Sequence, residues 1–186
     1  MNQSQSMLYE NLDRILINAA DVQAAVKELG QRISQDYRGK EPVFIYILKG
    51  AVMFFTDLIR AVDLPLTIDF MAISSYGSST KTSGVVRILK DLDHDIVGKD
   101  VVVVEDIVDS GLTLSYIIST LSQRGAASVR TATLLDKPER RKKALHVDYC
   151  CFTIPNEFVV GYGLDYDEKY RNMPDVGVLS PKVYSL

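Results

Sequence analysis

Short apolar runs alternate with stretches of helical spacing along most of this chain. Asp21 precedes Val22, Ala25, Val26, Leu29 and Ile33, a spacing that predicts an amphipathic helix capped by Asp21 and ending near Gly39. After Pro42, VFIYIL (Val43–Leu48) predicts a core strand. It stops at Lys49-Gly50, and AVMFFTDLIRAV then reads as a helix. LTIDFMAIS, residues 66–74, predicts a second strand, followed by a loop rich in Ser, Thr and Gly, the strand VVRILK (85–90) and the polar turn DLDHDIVGKD. Four valines, 101–104, suit a strand buried on both faces and running to 105. From Thr113, the residues Leu114, Ile117, Ile118 and Leu121 return to helical spacing as far as about Arg124. VRTATLLD (129–136) is another strand, and VDYCCFTIP and FVVGYGLDY add two short strand signals.

Strands alternating with helices predict an α/β fold with a mostly parallel sheet covered on both faces. The antiparallel exception falls at 66–90, where two strands flank a loop without a helix. No internal repeat or linker divides the chain, so a single domain is expected. Its core spans about residues 40–150. The helical N-terminal segment (1–38) and the irregular C-terminal one (151–186) are expected to form a small cap.

Composition adds little to this picture. Of 186 residues 47% are hydrophobic, and the net charge is −3, which describes a globular chain and gives no reason to expect nucleic acid as a partner. KPERRKK, from Lys137 to Lys143, reads as a solvated loop. The start, MNQSQSMLYENLDR, has no basic segment leading into an apolar one, so no secretory signal is expected, and no apolar run has the length of a membrane span. Cys150 and Cys151 are adjacent in a strand, where alternation sends them to opposite faces. Reduced structural thiols and a cytoplasmic location are expected. His94 and His146 lack the neighbours of a zinc site or a triad.

The chemistry concentrates at VVVVEDIVDSGLT (101–113). Three carboxylates, Glu105, Asp106 and Asp109, are expected in a short strand-to-helix loop, at the carboxyl end of a core strand where open α/β sheets bind ligands. The helix N-terminus offers unpaired amides to a phosphate. Neither GxxxxGK[ST] nor GxGxxG after a strand is present. What remains is Asp109-Ser110-Gly111-Leu112-Thr113, a turn with one glycine and two hydroxyls suited to a phosphate monoester. Acids beside a phosphate make sense if the same ligand carries hydroxyls or a Mg²⁺. A phosphorylated ribose has both features.

This segment resembles the phosphoribosyl-pyrophosphate (PRPP) binding motif of the type I phosphoribosyltransferases. LKGA at 48–51, SSYGSSTKTSG at 74–84, LLDKPERR at 134–141 and FVVGYGLDYDEKYRN at 158–172 resemble, in order, the other signature segments of the hypoxanthine-guanine phosphoribosyltransferases. The likeness covers nearly the whole chain after about residue 8. It implies the type I phosphoribosyltransferase fold, its twisted sheet completed by a small hood from the terminal segments. The implied activity is transfer of phosphoribose from PRPP to N9 of hypoxanthine or guanine with inversion, giving IMP or GMP and pyrophosphate with Mg²⁺ as cofactor.

The resemblance also distributes roles. Glu105 and Asp106 face the ribose hydroxyls and their Mg²⁺, with Asp165 as a second magnesium-side carboxylate. Asp109 to Thr113 hold the 5′-phosphate, and Asp109 is the base close to purine N7. Lys49 and Gly50, beside a cis peptide between Leu48 and Lys49, hold pyrophosphate with Ser75 and Tyr76 of a lid (74–84) and Arg171. Lys137 meets the 6-oxo group, Phe158 stacks on the purine, and Val159 and Asp165 line its edge. On residues alone, Lys49 is a solvated strand end, Phe158 a core aromatic and Arg171 a surface charge. A homodimer or homotetramer is expected. Two other classes fit parts of the pattern: a PRPP-sensing regulator that binds nucleic acid through KPERRKK, and a Mg²⁺-dependent receiver domain, whose acids would come from separate strand ends.

Overall fold

The computed structural model describes residues 7–75 and 86–185, with the side chains of Ser75 and Val86 left aside. Six strands build the large sheet in the order β4 (Val86–Lys90), β3 (Thr67–Ser75), β2 (Val43–Leu48), β5 (Asp100–Val108), β6 (Ser128–Asp136) and β7 (Tyr149–Thr153). All neighbours run parallel except β3 and β4. Alternation along the valine strand explains the two-layered core. Val102 and Val104 pack with α1 (Ala19–Asp36) and α2 (Val52–Ala61), through Val26, Phe54 and Leu58. Val101 and Val103 pack with α3 (Leu112–Gln123), through Leu114, Ile117 and Leu121. A strand buried on both faces can be apolar throughout, and this one is until residue 105.

The chain order runs outward from β2 to β3 on one side and from β5 to β7 on the other. The carboxyl ends of β2 and β5 therefore flank the point where strand order reverses, the place a doubly wound sheet opens a crevice.

Three expectations change. The N-terminal segment is not all helical: β1 (Leu12–Ile17) pairs antiparallel with β9 (Val176–Leu179), and β9 with β8 (Val159–Val160), in a second three-stranded sheet. The helix α1 packs against α2 and β7 on the large sheet, so it is β1, with β8 and β9, that builds the sheet joining the two ends of the chain. Its cap is Asn18, three residues before Asp21. The Asn18 side chain accepts from the Asp21 amide at 3.0 Å and donates to Asp21 Oδ2 at 2.7 Å, a reciprocal arrangement in which Asp21 takes the third helical position. Among the described residues no helix is long and apolar enough to cross a membrane. Cys150 and Cys151 are free thiols.

Candidate active site

The strand β5 continues three residues past the predicted end, so Glu105 and Asp106 belong to the strand and only Asp109 to the loop. Strand alternation then separates the two acids. Glu105 follows Val101 and Val103 to the α3 side, where it lines a cavity of about 210 Å³ with Asp109, Ser110, Gly111 and Thr113. Asp106 points the other way, against Gly50: a Cβ on that glycine would lie 1.6 Å from Asp106 Oδ2. Both carboxyls are pushed up by burial, Glu105 further by the charge of Asp106 and Asp106 to about 6. Neither carries an ion pair among the described residues.

The shift in Asp106 has a measurable consequence. Between its ordinary value near 3.8 and about 6, the folded protein keeps a proton that the unfolded chain has lost. Raising the pH through that window therefore weakens folding. Asp106→Asn lacks the ionisation, so its unfolding free energy relative to wild type is expected to rise from about pH 4 to about pH 6 and level off above. Urea denaturation at stepped pH measures it.

The turn after β5 rests on Gly111, whose φ of +76° an L side chain rarely adopts. That glycine brings the chain into α3, with the Leu112 amide donating to Ser110 Oγ at 3.4 Å. The helix N-terminus and the two hydroxyls face one cavity, which suits an anion.

A second cavity, of about 430 Å³, shares Ile107 and Asp109 with the first. Its lining includes Lys137, Phe158, Val159 and Asp165, so all four residues assigned to the purine stand together. Lys137 is buried, its Nζ donating to the Glu157 carbonyl at 2.6 Å, and desolvation pulls its pKa down. Phe158 is not a core aromatic: it is 40% exposed, stacked on Tyr184 with centroids 5.0 Å apart and edge-on to Tyr166.

Of the residues assigned to pyrophosphate, Lys49 and Gly50 follow β2 directly. The Leu48–Lys49 peptide is cis. Arg171 is no free surface charge, since it donates to the Gly163 carbonyl at 2.8 Å and pairs with Asp165 at 2.9 Å. Lys49 Nζ lies 3.0 Å from Glu168. Tyr76 and the lid from 76 onward lie outside the described residues. Among the described residues no three His, Cys, Asp or Glu side chains converge as a metal cluster, so Glu105, Asp106 and Asp165 form no preassembled set; alternation parts the first two and Arg171 engages the third.

Several residues here escaped the sequence reading. KPERRKK is largely exposed, as expected, but Lys137 is buried and both arginines are paired. Arg140 Nε lies 2.6 Å from Asp109 Oδ1, and Arg141 pairs with Asp136 and donates to the Asp109 carbonyl at 3.2 Å. Tyr184 comes from α4 (Pro181–Tyr184), at the far end of the chain. Charge complementarity between DIVDS and KPERRKK was the one available signal for the arginines; nothing local marked Tyr184.

Comparison with known proteins agrees with this geometry. Residues 13–167 match the phosphoribosyl transferase domain family. A hypoxanthine-guanine phosphoribosyltransferase of Streptococcus thermophilus is 50% identical over 179 residues, covering 96% of this chain and 99% of the relative. One from Mycobacterium avium is 53% identical, covering 94% and 89%. The crystal structure of a hypoxanthine phosphoribosyltransferase from Staphylococcus aureus superposes with a TM-score of 0.94 at 47% identity, covering 98% of this chain and 99% of the other.

Proposed function

Because this chain belongs to the phosphoribosyl transferase family, we infer that it is a hypoxanthine-guanine phosphoribosyltransferase of purine salvage. It transfers the 5-phosphoribosyl group of PRPP to N9 of hypoxanthine or guanine, giving IMP or GMP and releasing pyrophosphate. The observation that carries the assignment is the pair of cavities meeting at Asp109, one bounded by the amides and hydroxyls of a helix N-terminus, the other by a buried lysine and an exposed aromatic ring. Anomeric carbon and purine N9 must meet between a phosphate site and a base site, and Asp109 stands at that junction.

In this reading Asp109 takes the N7 proton and faces positive charge developing on the ribose as pyrophosphate leaves. Ser110 to Thr113 hold the 5′-phosphate. Lys49, Gly50, Ser75, Tyr76 and Arg171 receive pyrophosphate. Glu105, in the first cavity, and Asp106, on the opposite face of β5, are assigned to the ribose and its Mg²⁺ from two sides, and each fits as a buried hard-oxygen donor with no ion pair among the described residues. Magnesium commonly binds through one or two carboxylates plus substrate phosphates, so the lack of a three-acid cluster suits it, and the ion would neutralise the departing pyrophosphate. Asp165, held by Arg171, borders both the purine and the pyrophosphate side. The single domain is read as a cytoplasmic homodimer or homotetramer.

Lys137 sets purine choice. Its ammonium donates to a 6-oxo group and finds no acceptor in a 6-amino group. With PRPP and Mg²⁺, wild type is expected to consume hypoxanthine and guanine and to leave adenine. Lys137→Met is expected to raise KM for both substrates on the order of 10- to 100-fold, with KM for PRPP nearly unchanged. Steady-state assays with each purine in turn decide it, and equal use of adenine would overturn the assignment.

The basic loop favours this enzyme over a nucleic-acid regulator. Arg141 turns inward to Asp136 and Arg140 is paired with Asp109 at the surface, which leaves fewer unpaired cations for a nucleic-acid patch.

A further inference from the structure

Three consecutive carbonyls, starting at the last residue of β5, are held by one segment. The Val108 carbonyl accepts from the Lys137 amide at 2.9 Å, the Asp109 carbonyl from Arg141 Nη1 at 3.2 Å, and the Ser110 carbonyl from the Lys142 amide at 3.0 Å. The middle bond is the only one of the three made by a side chain. That side chain is itself fixed: Arg141 pairs with Asp136, the last residue of β6, and the two side chains are 14% and 17% exposed. Gly111 leaves room for it, since a Cβ there would come within 2.9 Å of Arg141 Cδ.

Each peptide carries its N–H opposite its carbonyl, so a turn whose carbonyls are tied behind presents its amides in front. Asp109 and Ser110 share the peptide that Arg141 fixes. Without that bond this peptide loses its direct restraint, and only its neighbours' carbonyls still set the orientation of the Ser110 amide.

We propose that Arg141, held by Asp136, is a positioning residue that presets the turn for a phosphate monoester. The inference rests on the functional reading above. It predicts a loss confined to ligands carrying the 5′-phosphate. Arg141 is not among the residues that line the purine cavity and meets that lining only through the Asp109 main chain, and its fork onto a carboxylate and a carbonyl is not something a lysine reproduces.

The experiment uses the full-length enzyme and three variants, Arg141→Met, Arg141→Lys and the double variant Asp136→Leu/Arg141→Met. Calorimetric Kd for GMP, KM for PRPP, KM for hypoxanthine and thermal melting are read for each. Arg141→Met is expected to weaken GMP and raise KM for PRPP on the order of 10- to 100-fold, leaving KM for hypoxanthine within about threefold, and Arg141→Lys to recover little of the loss. Removing Arg141 alone strands the carboxylate of Asp136, so the single variant is also expected to lose stability. The double variant removes both charges and is expected to regain the melting temperature without regaining GMP affinity, which separates positioning from folding; it carries the test if the single variant fails to fold. Two results would overturn the proposal: GMP affinity within twofold of wild type in Arg141→Met, or affinity restored along with stability in the double variant. Failure of wild type itself to bind GMP would overturn the functional reading, and this inference with it.

Discussion

Asp109→Asn is expected to lower kcat by about 10²- to 10⁴-fold while leaving the melting temperature and the Kd for GMP close to wild type. The residue lines both cavities, and in the proposed reading its carboxylate faces N7 of the purine and the anomeric carbon. An amide keeps the size and one acceptor but takes up no proton and carries no charge. Both lost properties matter only as N7 gives up its proton and the ribose becomes cationic, which is why binding should survive and turnover should not. Arg140, 2.6 Å from Asp109 Oδ1, adds a control. It neutralises the carboxylate in the ligand-free protein, and an exposed pair of this kind contributes little to stability, so losing it should barely move the melting curve. Single-turnover rates with saturating PRPP, set beside calorimetric GMP binding, separate the effects. A kcat within fivefold of wild type would take Asp109 out of the chemistry.

How much of this was legible in the chain follows from how far each signal had to travel. The valines of β5 announced a strand buried on both faces, and the parallel sheet with its one antiparallel edge followed from spacing alone. The strand β1 was missed because LDRILI carries two exposed charged residues in six and owes its existence to β9, where Leu12 meets Leu179. Local propensity has no access to a partner at that separation. Asn18 was passed over for Asp21 because both are good caps and three residues apart; only the geometry decides that one caps and the other completes the box. Glu105 and Asp106 could be recognised as functional, but their divergence depends on the strand running to Val108, past the point where apolar residues stop marking it. The pairing of Arg140 and Arg141 with acids is tertiary, and in sequence a basic run between strands looks the same whether it meets water or a carboxylate.

The largest structural effect is expected from a residue that carries no functional group at all. Gly163 has φ of +101°, and a Cβ placed on it would lie 2.0 Å from the carbonyl oxygen of Gly50. That obstacle is backbone, so no side chain can swing aside. On the other face of Gly50, a Cβ would strike Asp106, and the Gly163 amide and carbonyl are both bonded to Arg171, at 2.9 and 2.8 Å. The Lys49-Gly50 loop is thus wedged between Gly163 and Asp106, with Arg171, proposed to receive pyrophosphate, fastened to the same glycine. Gly163→Ala must push the loop away from Arg171 or twist the residue out of its left-handed region, and either should cost more than about 3 kcal/mol. The expected result is a markedly lower melting temperature and a KM for PRPP raised about 100-fold or more, the purine-side KM changing less because Lys137 stands on a separate segment, although Leu164 and Asp165 of the second cavity follow Gly163. Gly39→Ala supplies the comparison: its φ is also positive, at +78°, but a Cβ there meets nothing within 4 Å, so only the conformational penalty of about 1 kcal/mol applies and PRPP kinetics should be unchanged. If the two alanine variants melt together and use PRPP equally well, the wedge between Gly163 and Asp106 does not hold the pyrophosphate loop in place.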